Sequence, residues 1–309
     1  MTSPHFSVII PMFNAIGSLG PTVASVLEQS DPDFELIIVD DGSADNSVAI
    51  ALAMAAIDDR IRVVSQANAG PAAARNLGVE LARGGLLAFL DADDIWHQDK
   101  LACHRAFHNA NADVGVSYAR IAFLEAGRAP GTTARTESTV PPGPLTVTQL
   151  IGENPVCTTS NVVVTRACID AVGGFRAGMG YAEDQEWLAR VAAAGFGVCG
   201  IDRLLVEYRL SPTGLSSNLR RMYRGWRRLA HQHRASIDLA AAEAVYCRYL
   251  ARRALRSGGP AADALNFALR GMRRNAPAFL ADRRRGGLTL AGAFVGMLLP
   301  ATMRARLFA

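Results

Sequence analysis

Three carboxylates stand together where an apolar run ends in the first third of the chain. Leu86 to Leu90 are apolar, and Asp91, Asp93 and Asp94 follow with one alanine between them. Mg²⁺ and Mn²⁺ take carboxylate oxygens as ligands, and acids this close repel one another unless a cation lies between them. The spacing therefore predicts a divalent cation site at the end of a buried strand.

The geometry of this acidic cluster depends on how far the strand continues. If the backbone stays extended, Asp91 and Asp93 point to the same side because they are two residues apart. Asp94 is either an extra ligand or a cap of the turn before Trp96.

The elements that position this cluster alternate between strand and helix, which predicts a mostly parallel sheet covered by helices. Polar clusters follow the strands, where open α/β sheets bind ligands. The predicted strands are Phe6 to Ile10 closed by Pro11, Phe34 to Val39, Ile61 to Val64, and Leu86 to Leu90. The predicted helices run from a cap near Ser43 or Asp45 to about Ile57, and from Pro71 to about Arg83.

The following hundred residues give a weaker pattern. Residues 125–148 are rich in Gly, Pro, Thr and Arg, which predicts a long surface loop that is either a lid or mobile. Val156 to Thr165 is strand-like, Glu183 to Ala194 is helical, and Gly197 to Ile201 is a short strand.

Charge divides the chain in two. Residues 218–309 hold 18 arginines against four acids, a net charge of +14, whereas residues 1–217 carry −10. We therefore expect one domain over 1–217 and a second region of Arg-rich helices over 218–309, broken at residues 257–260.

The last apolar stretch, Leu288 to Met303, is interrupted by Gly292, Gly296 and Pro300, and is too short and broken for a transmembrane helix. Arginines flank it on both sides, so it either lies in an anionic membrane interface or belongs to a helical subdomain with solvated arginines. No nucleic-acid motif accompanies the basic charge, so no nucleic-acid partner is expected.

The cysteines and the first residues of the chain indicate the cellular compartment of the protein. Five cysteines without close pairing indicate a reducing compartment and neither a disulfide framework nor a zinc site. The start carries no signal-peptide pattern. We expect a cytoplasmic protein that is either free or peripheral at the inner face of the membrane.

Five segments follow one another along the chain: Ser7 to Asn14, Val39 to Ser43, Ala74 to Gly78, Leu90 to Asp94, and Glu183-Asp184 after Gly173-Gly174-Phe175. Together and in this order they resemble the motifs of the family 2 glycosyltransferases. The resemblance covers about residues 5–210 and implies the GT-A fold, a Rossmann-like mixed α/β sheet flanked by helices, here with an Arg-rich helical C-terminal extension. It also implies inverting transfer of a sugar from a nucleotide diphosphate donor with Mn²⁺ or Mg²⁺.

The resemblance assigns the nucleotide-binding residues. Pro11, Phe13 and Asn14 would border the nucleoside, and Asp40 would accept a hydrogen bond from the base, as the N3–H of uracil or thymine offers. Taken alone, the segment from Asp40 to Ser43 favours a turn with a helix cap. Arg75 would reach the base or a phosphate; otherwise it is a solvated helix arginine.

The resemblance also assigns the metal and the catalytic base. Asp91 and Asp93 form a DxD motif in which Asp91 contacts the ribose or metal-bound water and Asp93 binds the metal. Asp184 would be the general base. Helical spacing favours it over Glu183, since Asp184 shares a face with Trp187 and Leu188, whereas Glu183 aligns with Glu186 and Arg190 on the predicted solvent side. Both acids would also suit a helix N-terminus without any catalytic role.

The sequence departs from the family after Tyr208-Arg209, where many relatives carry a histidine and this chain has Leu210-Ser211-Pro212. Arg209 or the cluster at residues 216–218 would then take over phosphate contacts. The Gln-x-x-Arg-Trp motif of processive synthases is absent after Gln185, which favours addition of a single sugar.

The leading hypothesis is therefore a glycosyltransferase that moves one sugar from a nucleotide-sugar donor, with UDP favoured, to a cell-envelope glycan or lipid-linked acceptor. A nucleotidyltransferase is the alternative within the fold, but the segment after the first strand lacks a glycine-rich basic loop. A silent nucleotide-sugar binder is the alternative from another class, and the intact acids speak against it.

Overall fold

The computed structural model describes residues 3–124, 136–179, 181–209, 218–256, 260–300, 303–304 and 307–308. The chain forms two compact units. The first comprises Met1–Leu145 and Pro155–Gly214, and the second comprises Thr146–Asn154 and Leu215–Ala309. The second unit thus takes in a short segment, Thr146–Asn154, that precedes the rest of it by some sixty residues. Charge patterning gave no sign of this segment.

The first unit is built on one mixed sheet. Its strands within the described ranges are β1 Phe6–Met12, β2 Phe34–Asp40, β3 Ile61–Ser65, β4 Leu86–Phe89, β5 Ile95–Trp96, β6 Val114–Leu124, β7 Thr136–Glu137, β8 Val163–Thr165 and β9 Gly197–Arg209. The strand order is β3-β2-β1-β4-β8-β6-β9-β5, with β7 paired to β6. The first four strands are parallel, and β8 joins β4 and β6 in antiparallel pairing.

Helices flank this sheet: α1 Leu19–Leu27, α2 Ser47–Ala55, α3 Pro71–Leu81, α4 Lys100–Ala110, α6 Arg166–Val172 and α7 Glu183–Ala193. The central strands β1 and β2 are buried on both faces, which explains why their sequences are nearly continuous apolar runs. Parallel pairing brings the ends of β1, β2, β3 and β4 to one edge of the sheet.

Several predicted boundaries were wrong for local reasons. β1 continues through Pro11 to Met12, because β4 pairs with β1 only as far as Ile9 and the missing N–H of Pro11 costs no hydrogen bond on that side. Helix α2 begins at Ser47 rather than at a cap on Ser43 or Asp45.

The later strands also differ from their predicted lengths. The strand expected over Val156 to Thr165 is confined to β8, because a 3₁₀ turn occupies Thr159–Asn161. The strand expected to stop at Ile201 runs to Arg209, since Asp202 and Arg203 bulge out of its pairing with β6. Of the predicted loop over residues 125–148, residues 125–135 lie outside the described ranges, and the remainder holds β7 and the start of the next helix.

The second unit is helical: α5 Val147–Gly152, α8 Leu219–Gln232, α9 Leu239–Arg256, α10 Ala261–Phe279 and α11 Arg283–Leu298. Its core includes stacked rings, with Trp226 lying 6.0 Å from Tyr223 and 4.8 Å from Tyr246. Helix α5 is tied in by Glu153, which accepts hydrogen bonds from Arg248 and Arg252, both at 2.9 Å.

Helix α10 is broken near its end. Asn275 leaves helical geometry at φ −159° and ψ 93°, and its side chain caps the following turn by accepting a hydrogen bond from Ala278 N–H at 3.0 Å. Pro277 fits there because the first turn of a helix needs no donor. The predicted break at residues 257–260 falls mostly outside the described ranges.

Helix α11 has an unusual distribution of side chains. Small residues face inward, among them Gly292, Ala293 and Gly296, while large apolar ones face outward, including Phe294 and, at 85% exposed, Leu298. Among the residues that the structure describes, no helix combines the length and the hydropathy that crossing a membrane requires.

Candidate functional site

The acidic cluster forms a tight turn after β4 rather than an extended strand end. Asp94 N–H donates to the Asp91 carbonyl at 3.1 Å, so the backbone does not stay extended and the condition for Asp91 and Asp93 to point to the same side is not met. Asp94 is fully buried, where its carboxylate accepts hydrogen bonds from Ser160 Oγ at 2.5 Å and Arg209 N–H at 3.0 Å. The carboxylate of Asp94 therefore ties the acidic turn to Ser160 and to the end of β9, whereas the N–H of Trp96 donates to Ser25 Oγ and not to Asp94.

Asp91 is held from two directions. Arg75 Nη2 donates to Asp91 Oδ1 at 2.7 Å, and the hydroxyls of Thr158 and Thr159 lie 3.3 and 3.4 Å from its carboxylate oxygens. Its backbone N–H donates to Ser160 Oγ at 3.0 Å. The 3₁₀ turn thus holds the acidic turn in place.

Sequence reasoning did not find these hydroxyl residues. The available signal was the run Thr158-Thr159-Ser160-Asn161, which is polar within a segment that otherwise suggests a strand. In the structure all four side chains are buried and hydrogen-bonded.

Asp93 is the exposed member of the cluster. Partial loss of water and the neighbouring carboxylate of Asp91 raise its pKa to about 6, while the charge of Arg209 acts in the opposite direction. Its carboxylate accepts no hydrogen bond from another residue in the described part of the chain. Asp93 is therefore the carboxylate most available to an external cation.

This donor set fits Mn²⁺ or Mg²⁺ in a particular way. Within the described ranges, no group of three or more His, Cys, Asp or Glu side chains is arranged to hold a metal ion by itself. Magnesium is commonly held by one or two carboxylates while substrate phosphates and water complete the shell. Asp93, with Asp91 beside it, suits that kind of site.

The segment from Ala74 to Gly78 contributes three distinct contacts. Arg75 is buried, so the alternative of a solvated helix arginine is wrong; it lies between Asp91 and Glu183, with Nη1 3.7 Å from Glu183 Oε1. Asn76 exchanges two hydrogen bonds with the backbone of Phe175, at 2.7 and 2.8 Å.

Gly78 in the same segment provides close packing. A Cβ atom there would lie 2.4 Å from Cγ2 of Ile9, so only glycine lets α3 approach β1 this closely. The motif therefore fixes the helix against the sheet while it aims Arg75 at the acids.

Asp184 lies at the start of α7, the helix that carries the candidate base. Burial and the adjacent charge of Glu183 raise the pKa of Asp184 to about 6, although Arg75 acts in the opposite direction. A carboxylate with this pKa is mostly ionised at neutral pH and still basic enough to accept a proton. The residue before the helix, Ala182, is left-handed at φ 62°, a strained conformation for an alanine.

The prediction that Glu186 lies on a solvent side of α7 is wrong. Glu186 is fully buried and forms ion pairs with Arg190 at 2.8 Å and with Arg176 at 3.1 Å. Arg190 also donates to the carbonyls of Val172 and Gly174, which anchors the glycine segment before α7. A buried charged network of this kind cannot be recognised from helical spacing.

The predicted nucleotide-binding residues lie where β1 and β2 end. Asn14 N–H donates to Ser43 Oγ at 3.0 Å, and Asn14 Oδ1 accepts from Ala44 N–H at 2.8 Å, so the two loops are joined. Phe13, two residues after Pro11, is 52% exposed. An exposed ring on a fixed loop is suited to contact with a nucleoside.

Asp40 is buried at the end of β2. Its Oδ1 accepts a hydrogen bond from Ser43 N–H at 3.0 Å, which is the turn geometry that the sequence allowed. Asp41 is also buried, and its carboxylate accepts from Gln66 Nε2 and from the N–H groups of Ala69 and Gly70, all within 2.9 Å. Asp41 thereby fixes the loop that leads into α3.

Arg209 lies at the end of β9 beside the acidic turn. Its Nε and Nη2 atoms are buried, and among the described residues they have no hydrogen-bond partner. Of the cluster at residues 216–218, the first two lie outside the described ranges, and Asn218 caps α8 by accepting from Arg221 N–H at 3.0 Å.

Comparison with known sequences identifies a protein family and several related proteins. The profile described as Glycosyl transferase family 2 matches residues 7–173. TuaG of Bacillus subtilis, provisionally named a teichuronic acid biosynthesis glycosyltransferase, is 50% identical over 99 residues, which are 32% of this chain and 39% of TuaG. The amylovoran biosynthesis glycosyltransferase AmsB of Erwinia amylovora is 45% identical over 107 residues, 33% of this chain and 35% of AmsB. The chain spans about two fifths or less of the curated relatives it matches.

Solved structures agree on the fold. Residues 1–349 of S. aureus TarS in complex with UDP-GlcNAc align with a TM-score of 0.61 at 20% identity, covering 93% of this chain and 90% of that one. The mannosyltransferase PcManGT from Pyrobaculum calidifontis, in complex with GDP-Man and Mn²⁺, aligns with a TM-score of 0.61 at 17% identity, covering 100% and 85%. The predicted GT-A fold is confirmed, and with more than half of its length matched by the profile the chain belongs to glycosyl transferase family 2.

Proposed function

We propose that this protein transfers one sugar from a nucleotide diphosphate donor to a hydroxyl group, with inversion at the anomeric carbon and with Mn²⁺ or Mg²⁺ as cofactor. The observation that carries the proposal is the position of Arg75. It contacts Asp91 in the acidic turn at 2.7 Å and Glu183, next to Asp184, at 3.7 Å. The buried Arg75 therefore links the candidate metal ligands, Asp91 and its neighbour Asp93, to the start of α7, where Asp184 has a raised pKa.

Each residue has a part in this mechanism. Asp93 and Asp91 would hold the metal, which supplies positive charge to the departing nucleoside diphosphate. The buried and unpaired N–H groups of Arg209 suit the same phosphates. Asp184 takes the proton from the acceptor hydroxyl as it attacks the anomeric carbon from the face opposite the leaving group.

The donor is proposed to carry uracil. Asp40 Oδ2 accepts no hydrogen bond from the residues that the structure describes, so it is free to accept from a base N3–H, and Phe13 and Pro11 border the same edge. The TarS structure with UDP-GlcNAc supports this choice, whereas PcManGT with GDP-Man is the contrasting case.

The acceptor is proposed to be a cell-envelope glycan or its lipid-linked precursor. This follows the names of two relatives, which refer to teichuronic acid and amylovoran biosynthesis. A cytoplasmic location with peripheral contact at an anionic membrane would bring the enzyme to such an acceptor.

The outward apolar face of α11 supports the membrane contact. Leu288, Phe294 and Leu298 are exposed, and Arg283 and Arg284 are exposed at the start of the helix. Apolar side chains that enter the acyl boundary beside arginines that meet anionic headgroups are typical of an interfacial helix.

The transfer proposal is tested with a panel of nucleotide sugars, by measuring nucleoside diphosphate release with Mn²⁺ and with EDTA. We expect release only with the metal, and loss of at least about tenfold in UDP affinity for Asp93→Ala by calorimetry. Asp113→Ala, which removes an exposed acid, is the matched control. Equal UDP binding by Asp93→Ala and the control would contradict the metal assignment.

The membrane proposal is tested by sedimentation with phosphatidylglycerol vesicles. Phe294→Glu with Leu298→Glu places charge on the apolar face and should abolish binding. Ile57→Glu, at an exposed apolar residue of the first unit, is the control. Unchanged sedimentation of the α11 variant would refute the contact.

A further inference from the structure

The helical unit contains a cleft of about 970 Å³ between α8 and α10, in which α9 supplies one acid. It is lined by six arginines and two acids; the arginines are Arg220, Arg224, Arg227, Arg270, Arg273 and Arg274. None of its residues belongs to the site at the edge of the sheet, and the proposed reaction uses none of them.

The two acids of the cleft are already neutralised. Asp263 accepts from Arg220 at 2.9 Å, and Glu243 accepts from Arg274 at 2.9 Å. Four arginines therefore remain without a carboxylate partner among the described residues. Such an excess in a concave site repels cations and concentrates anions.

The cleft has a fixed floor. The hydroxyl of Tyr223 donates to Glu243 at 2.5 Å and accepts from Arg270 at 3.1 Å, and the guanidinium of Arg270 lies 5.1 Å from the ring centre of Tyr223. Phe267 packs against the same ring at 5.9 Å. This arrangement orients Arg270, so less conformational freedom is lost when it binds a ligand.

Two further arginines stand at the cleft without any hydrogen bond or ion pair to a described residue: Arg227 from α8 and Arg273 from α10. Guanidinium groups bind phosphate oxygens through paired parallel N–H donors. Because these arginines come from two different helices, they suit a ligand with two phosphate groups, such as a diphosphate, in which each group can accept hydrogen bonds from a different arginine.

We propose that this cleft is a binding site for a diphosphate group. A diphosphate group is offered by a soluble diphosphate compound and by a lipid whose headgroup is a diphosphate. The inference does not rest on sugar transfer, since diphosphate binding is measured without a donor.

The test is calorimetric titration of the full chain with inorganic pyrophosphate in EDTA. EDTA removes the metal that would compensate the carboxylates of the acidic turn, so we expect these acids to weaken binding of the anion there. We expect saturable binding with one site, weakened at least about tenfold in Arg227→Gln with Arg273→Gln. Both side chains are exposed, so the variant should retain its fold, which circular dichroism verifies.

The matched control is Arg221→Gln with Arg228→Gln, which removes the same charge from exposed positions of α8 outside the cleft. It should bind pyrophosphate within about twofold of the unchanged protein. No saturable binding, or equal weakening in both variants, would overturn the proposal.

Vesicles identify the source of the phosphate. If phosphatidylcholine vesicles that contain a prenyl diphosphate bind, are displaced by pyrophosphate, and lose binding in the cleft variant but not in the Arg221→Gln with Arg228→Gln control, the site takes a lipid diphosphate. If vesicle binding is the same in the cleft variant while pyrophosphate binding falls, the site takes a soluble phosphate compound.

Discussion

The acid limb of the pH–rate profile should report Asp184. Its pKa of about 6, against an ordinary value of 3.8, makes the carboxylate the minor form in mild acid. From that pKa the ionised fraction falls from about nine-tenths at pH 7 to about one-tenth at pH 5. The rate of nucleoside diphosphate release should fall about tenfold over this range, whereas a base of ordinary pKa would lose almost nothing.

The charge of Glu183 provides the discriminating variant. Glu183 raises the pKa of Asp184 but is not among the causes that raise the pKa of Asp93, the other group near 6. Glu183→Gln should therefore move the acid limb to lower pH, while Glu80→Gln, an exposed acid on α3, should leave it in place.

The assay is release of UDP from a UDP-sugar, with water or glycan as acceptor, measured from pH 4.5 to 8 with saturating Mn²⁺. Asp184→Asn should reduce the rate by about 10² to 10⁴ at every pH. An acid limb that stays in place in Glu183→Gln, or a rate preserved in Asp184→Asn, would refute the assignment of the base.

Three further substitutions test the scaffold by thermal unfolding. Ser160→Ala removes the hydroxyl that donates to the buried carboxylate of Asp94 and should destabilise by about 1–3 kcal/mol; a smaller loss would mean that another donor replaces it. Gly78→Ala drives a methyl group into a β1 side chain at 2.4 Å and should cost about 1–3 kcal/mol, whereas Gly85→Ala, with no atom within 4 Å, should be tolerated. Ala182→Gly relieves a left-handed alanine and should raise stability or leave it unchanged; a clear loss of stability would show that the strain is not real.

The parallel half of the fold could be predicted from sequence because its signals are local. Buried parallel strands appear as apolar runs, and turn residues mark their ends, so β1 to β4 and α3 were placed within a few residues. Residues 97–124 received no assignment, although they form α4 and β6. Their interior is polar: Lys100 bonds to His104 at 3.1 Å, and His104 bonds to Ser117 at 2.7 Å, which hides the apolar periodicity.

The candidate site likewise contains residues that could be predicted from the sequence and residues that could not. Asp91, Asp93 and Asp184 stand out by residue type and by their position in the motifs, so they could be named in advance. Their supports could not, because Ser160 acts on the acidic turn across 66 residues of sequence and Asn76 acts on Phe175 across 99. Pairings at such separation leave no pattern within a single sequence.

The dependence of the acidic turn on Ser160 limits how the chain can be shortened. A truncated polypeptide ending near residue 150 would retain four of the five family motifs, and by its sequence would look competent to bind a donor. It would nevertheless lack the hydroxyl beneath Asp94 and the strand β8 that closes the gap between β4 and β6. Any minimal catalytic fragment must therefore extend through Arg209, whose backbone supplies the other donor to that carboxylate.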